Sequence, residues 1–151
     1  MKKTLLLLFF LATLQTVGAQ ELTWHTDINK AIELSNKSKK PLMLFFTGSD
    51  WCGWCIKLQK EVFYKPEFAE WAKKVILVEL DFPRKTQLEE KLKQQNEQLQ
   101  QIFQVSGYPT IWFVNPKKNG EQINLEQLGK TGYVAGGPEK FLAVVNEFLP
   151  K

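Results

Sequence analysis

Apolar residues along the chain fall into two patterns. Residues 42–46 are apolar throughout, and 75–80 form a similar run broken only by Glu79. Short continuous runs of this kind fit strands buried on both faces. Elsewhere apolar positions recur at intervals of three and four, as on amphipathic helices. Leu22-Thr23-Trp24 predicts a short opening strand. Thr26 or Asp27 then caps a helix that turns Ile28, Ala31, Ile32 and Leu34 inward, and Pro41 closes that region. After the first buried strand, residues 47–50 are a polar loop. A helical pattern starts at Cys55, with Ile56, Leu58 or Gln59, Val62 and Phe63 inward. Pro66 interrupts it, and residues 67–73 resume it through Phe68, Trp71 and Ala72.

Pro83 breaks the chain after the second buried strand. Residues 86–104 are rich in Gln, Glu and Lys, with Leu88, Leu92, Leu99, Ile102 and Phe103 as the apolar stripe. That spacing predicts an amphipathic helix with a broad solvated face. A coiled coil needs sustained heptads, which Gln95 and Gln98 interrupt. A third strand is predicted over 110–114, a turn over 115–120, and a returning strand over 121–128. Residues 129–137 read as loop, and Gly-Gly-Pro opens a last helix with Phe141, Leu142, Val145, Phe148 and Leu149 inward. Strands alternating with helices, then a closing hairpin, predict an α/β domain with a mixed central β-sheet flanked by helices.

The first nineteen residues do not belong to that pattern. Lys2 and Lys3 precede an apolar run interrupted only by Thr13, and Val17-Gly18-Ala19 ends it with small residues. This is the layout of a secretory signal peptide. A membrane span needs about 20 apolar residues, more than this run supplies. The expected organisation is a signal peptide over 1–19 and a single domain over 20–151, the alternative being a retained N-terminal anchor. No cysteine follows the run, which argues against a lipid-anchored form. Export, with the periplasm as destination, is the expected localisation, with no stable membrane insertion after cleavage.

Charge adds little. The formal net charge is +4 in 151 residues. Removal of residues 1–19 leaves 18 basic and 16 acidic side chains, so half of the excess belongs to the targeting segment. Lys and Glu are interspersed, and the one dense cluster, Lys37-Ser38-Lys39-Lys40, fits a solvated helix end. A nucleic-acid partner is not expected.

The chemistry concentrates at Ser49-Asp50-Trp51-Cys52-Gly53-Trp54-Cys55, which holds both cysteines. A zinc site wants four N or S ligands, and the two cysteines with His25 make three at most. His25 sits at a strand end, where a surface or packing role suffices. Covalent haem attachment needs histidine directly after the second cysteine, and position 56 is isoleucine. A structural staple suits an exported protein, but so small a loop returns little stability. Placement points elsewhere. The pair follows a buried strand and opens a helix, where free amides and the positive dipole end favour thiolate over thiol. A thiolate at Cys52 is a nucleophile for disulfide exchange, and Cys55, one turn on, is placed to resolve the mixed disulfide.

With Trp51-Cys52-Gly53-Trp54-Cys55 after one strand and Gly107-Tyr108-Pro109-Thr110 before the next, the chain resembles the thioredoxin superfamily over residues 22–149. It is most similar to exported thioredoxin-like proteins of bacteria whose site reads Ser-Asp-Trp-Cys-x-Trp-Cys, and Gly-Tyr-Pro-Thr is similar to that of disulfide isomerases. The resemblance implies a thioredoxin-like fold and a cis Pro109 beside the cysteines, with Tyr108 offering backbone hydrogen bonds to a client. It implies a thiol–disulfide oxidoreductase, favoured in the reductase or isomerase direction, whose cofactor is the Cys52–Cys55 pair alone. Trp51, Gly53, Trp54, Tyr108 and Pro109 would contact client proteins. A membrane thiol-transporter is the implied electron donor. The alternative is a binding module that holds partners through the Trp51, Trp54 and Tyr108 surface.

Three positions depart from the family pattern. Phe46 stands six residues before Cys52, where a buried aspartate that handles the second thiol's proton is usual. Leu77 stands where a lysine is usual, four residues before Asp81. Glu79 and Asp50 are the carboxylates considered as substitutes. Trp54 replaces the usual proline or histidine, so no imidazolium assists Cys52, and with Trp51 it is expected to form an apolar platform.

Overall fold

The structure, a computed structural model, describes residues 22–119 and 122–150. The expected signal peptide, the last residue of the predicted turn, Gly120, and the first of the predicted returning strand, Glu121, lie outside them. Five strands form one mixed sheet in the order β1-β3-β2-β4-β5. They are β1 Trp24–His25, β2 Leu42–Thr47, β3 Ile76–Asp81, β4 Thr110–Asn119 and β5 Gln122–Thr131. β3 runs parallel to β1 and β2, whereas β4 is antiparallel to β2 and β5. The helices are α1 Ile28–Ser38, α2 Gly53–Leu58, α3 Pro66–Ala72, α4 Glu90–Ile102 and α5 Gly137–Asn146.

β2 is buried at all six positions. Its pleat sends Met43 and Phe45 to one face, where α2, α3 and α5 pack and both cysteines lie. Leu42, Leu44 and Phe46 go to the other face, under α1 and the end of α4. The Asp27 carboxylate caps α1 by accepting the N–H groups of Asn29 and Lys30 at 2.9 and 3.3 Å. Lys39 closes that helix in the left-handed region, so the basic cluster does sit at a helix end. α2 passes without a break into a π turn over Gln59–Phe63, where Tyr64 N–H reaches back five residues to Gln59 O. The wider turn lets Val62 and Phe63 both point into the core.

Three sequence expectations are corrected. The stretch 115–119 is not a turn: it pairs in register with 122–126 and lengthens both hairpin strands. Pro116 is tolerated there because β2 pairs with β4 only as far as Val114, so the missing N–H costs no ladder bond to β2. The helix predicted from residue 86 starts at Glu90, because the amides of Lys85 and Thr86 turn to the Asp50 carboxylate. Ile102 is 61% exposed. Leu92, Asn96, Leu99 and Phe103 share one helical face, and at 3.6 residues per turn Ile102 falls roughly a quarter turn away.

Asn96 is a polar residue at an inward position, 1% exposed. Its amide donates to the Asp81 carbonyl at 2.9 Å and accepts from Gln95, so α4 is tied to the end of β3. Asn96→Ala removes the donor from the carbonyl at the end of β3. A loss of about 1–3 kcal/mol is expected in urea unfolding of the oxidised protein. An unchanged midpoint would show that solvent replaces the amide without cost.

Candidate active site

The site is built on the loop between β2 and α2. Gly48 comes first, and only glycine fits: a Cβ there would lie 2.4 Å from the Trp51 ring. The Gly48 carbonyl accepts the N–H groups of Trp51 and Cys52 at 3.2 and 2.8 Å, which curls the chain into the helix start. A second loop, residues 82–86, is laced to this one along its length. Phe82 N–H donates to Thr47 O, and the Trp51 indole N–H donates to Phe82 O at 2.7 Å. Ser49 donates both its N–H and its hydroxyl to the Asp81 carboxylate. Asp50 accepts from the N–H groups of Arg84, Lys85 and Thr86 at 3.0, 2.7 and 3.1 Å.

Those donors hold the Asp50 carboxyl below its ordinary pKa, the Arg84 N–H foremost, against a smaller upward push from desolvation. Asp50 is therefore a structural acceptor, not a free base. The Arg84 guanidinium lies 3.7 Å from the centre of the Trp51 ring, on one of its faces. Trp51 also meets Tyr108 edge-on, at 5.7 Å between centroids.

Cys52 is the N-cap of α2 and Cys55 sits in its first turn. The two are joined by a disulfide. Cys52 is 5% exposed and Cys55 fully buried. The Cys55 N–H points at Cys52 Sγ, 3.2 Å away, so an amide at the helix start already faces the outer sulfur. Gly53 has open space where a side chain would be, which leaves the mouth of the site clear.

The Tyr108–Pro109 bond is cis. Phe46 pairs with Thr110, so Pro109 comes to the same end of the sheet as the cysteines. Thr110 Oγ1 donates to Gly107 O and closes this loop, while the Tyr108 hydroxyl accepts from Gln100 Nε2 at 2.6 Å. Burial raises the Tyr108 pKa, opposed by the Gln100 bond.

Trp54 is 57% exposed. Its ring meets Tyr133, from the loop after β5, at 5.0 Å. The Lys57 ammonium lies 5.1 and 5.2 Å from the two ring centres. Glu61, in the π turn, accepts a hydrogen bond from the Tyr133 hydroxyl and lies 3.9 Å from Lys57. That bond is the main reason the Tyr133 pKa is raised. The two tryptophans thus belong to separate aromatic pairs.

The carboxylate expectation changes as well. Phe46 does not lie beneath the cysteines. It packs on the opposite face against Phe82 and Phe103. The cysteine side of β2 carries Met43, Phe45 and Thr47 instead. Glu79 shares a face with Leu77 and Asp81 on β3 and is half-buried. Its pKa is raised, chiefly by desolvation and then by Asp81.

Sequence reading missed Ser49, Asp81, Arg84, Glu61 and Tyr133. Ser49, Asp81 and Arg84 signalled only as polar residues at strand ends, and Glu61 and Tyr133 gave no local signal.

A family model described as thioredoxin-like matches residues 23–116. The chain is 34% identical over 134 residues to a protein of Chlamydia pneumoniae named disulfide bond reductase DsbH, covering 88% of this chain and 76% of that one. Among solved structures, the DsbH oxidoreductase superposes with a TM-score of 0.78 at 33% identity, over 91% of this chain and 92% of that one. A thioredoxin from Thermus thermophilus, at 19% identity and a TM-score of 0.61, shares the fold over 83% of this chain and 85% of its own.

A carboxylate whose pKa is depressed by folding adds stability that is complete above its unfolded pKa and is lost as pH falls through the folded value. Asp50→Asn should therefore lower the urea midpoint at neutral pH. The gap to the parent protein should close as pH drops below the ordinary carboxylate range. A gap that persists unchanged to about pH 3 would show that Asp50 acts by shape alone.

Proposed function

Because the chain belongs to the thioredoxin-like family and is a thiol–disulfide oxidoreductase, we propose that it works as an exported reductase of protein disulfides. The observation that carries this reading is the buried Cys52–Cys55 disulfide at the start of α2, with an amide N–H aimed at the outer sulfur. The name of the Chlamydia pneumoniae relative supports the reducing direction.

In the reduced protein Cys52 is the attacking thiolate. The Cys55 N–H that faces its sulfur, together with the helix start, stabilises the negative charge. Attack on a client disulfide forms a Cys52–client bond and expels one client sulfur as thiolate. Cys55, as thiolate, then attacks Cys52 Sγ, breaks the mixed disulfide, and releases the second client sulfur. The client gains two electrons, and the protein is left with the disulfide seen in the structure. No cofactor beyond the cysteine pair takes part. Client segments would lie across the clear edge at Gly53, against the exposed Trp54 ring and the backbone of Tyr108 and Pro109, with Trp51 fixing the floor.

Outside the cytoplasm the pair must be re-reduced, and a membrane thiol-transporter is the fitting donor. Cleavage after Ala19 would leave the domain free of the bilayer. No helix among the described residues is long and apolar enough to cross a membrane.

Cys52→Ser should abolish reduction of insulin disulfides, and Cys55→Ala should accumulate client proteins covalently on Cys52. The couple's potential should fall nearer about −270 mV than about −120 mV. Turnover by Cys52→Ser at the parent rate would overturn the proposal. Clients recovered by Cys55→Ala only without a covalent bond would favour a binding module instead.

A further inference from the structure

One buried polar group near the disulfide has no part in the exchange just described. Thr47 is the last residue of β2 and is fully buried. Its hydroxyl has no hydrogen-bond partner in the protein. The pleat fixes which way it faces. Met43 and Phe45 belong to the cluster containing Cys52 and Cys55, and Thr47 is the next residue in that series. On one side it pairs with Asp81. On the other, one further step of the β2–β4 register brings it opposite Pro109. The adjoining residue, Gly48, holds the Cys52 N–H through its carbonyl. The carboxylate of its β3 partner is already engaged, since both oxygens of Asp81 accept from Ser49.

A buried hydroxyl left without a partner has lost its water and gained nothing in return. The oxidised site offers it no good acceptor, because each sulfur is bonded to the other. Reduction changes the acceptors. Two electrons and two protons open the S–S bond and leave two thiols, and any thiolate that forms is a strong acceptor. The Cys52 sulfur already faces the Cys55 N–H. Among the described residues no donor is hydrogen-bonded to the Cys55 sulfur in the oxidised protein, in contrast to Cys52. We infer that the Thr47 hydroxyl is the hydrogen-bond donor to the Cys55 sulfur in the reduced protein. The inference rests on the oxidoreductase reading and adds a residue to it. When Cys55 attacks the mixed disulfide, Thr47 keeps its own proton and stabilises the attacking thiolate. The proton that Cys55 gives up passes to the departing client thiolate through solvent.

The test sets the couple against glutathione, where two glutathione thiols are exchanged for one glutathione disulfide as the Cys52–Cys55 bond opens. The full chain, Thr47→Val and Thr47→Ser are equilibrated at fixed ratios, and the reduced fraction is read by alkylation and mass. Thr47→Val keeps the shape and loses the donor. Its equilibrium should shift about tenfold toward the disulfide, which is about 30 mV more negative. Thr47→Ser keeps the donor and should match the parent. In urea, Thr47→Val should weaken the reduced form while leaving the oxidised form as stable as before or more so. Two results overturn the assignment and leave the oxidoreductase reading standing: a parent couple that exchanges normally with both variants matching it, or Thr47→Ser shifting as far as Thr47→Val. A parent couple that does not exchange with glutathione at all would overturn both.

Discussion

β2 has no solvent-facing side, and the position of every group near the disulfide depends on that. A strand buried on both faces sorts its residues strictly by the pleat, and a slip of one position exchanges the faces completely. Met43, Phe45 and Thr47 are thereby committed to the cysteine side, and Leu42, Leu44 and Phe46 to the side of α1 and α4. The neighbouring strands inherit the same order through their registers, so Leu77, Glu79 and Asp81 follow on β3, and Ile111 and Phe113 on β4. The chemistry of the site is in this sense a property of one strand's phase.

The carboxylates around the cysteines show how the molecule uses charge. Asp50 and Asp81 flank the site, yet both face donors from a neighbouring loop and act as clamps. They draw residues 48–51 and 82–86 together and hold the start of α2 in a fixed place. A helix start can stabilise a thiolate only if its amides stay aimed at the sulfur. The clamps thus serve the chemistry without touching it. Glu79 is different in kind: it lies on the cysteine face, half-buried, with a raised pKa.

Much of this was legible in the chain. Two apolar runs, one of them broken only by Glu79, gave the central strands, and the helical stripes through Ile28, Phe68 and Phe141 gave three helices their inward faces. The two short motifs gave the redox pair and the proline loop. What was not legible depended on contacts between residues distant in sequence. The Tyr133–Glu61 and Trp71–Asn146 bonds join residues more than seventy positions apart, and no local pattern announces them. Asn96 was missed because a polar residue at an inward position looks like a surface one until its partner is known. Counting six residues back from Cys52 reaches Phe46, which the pleat turns to the face away from the cysteines. The count is insensitive to loop length, whereas the pleat is not.

The π turn at Gln59–Phe63 separates two demands made on one rod of helix. Its cysteine end must keep phase with the strand beneath, and its far end must seat Phe63 among Phe45, Phe68 and Phe141. A uniform α-helix has a single phase and would oblige both ends to vary together. The extra residue breaks that obligation. Related chains are then free to gain or lose a position there while the thiol end stays still, so a gap in an alignment of such chains belongs within this turn and not beside the cysteines.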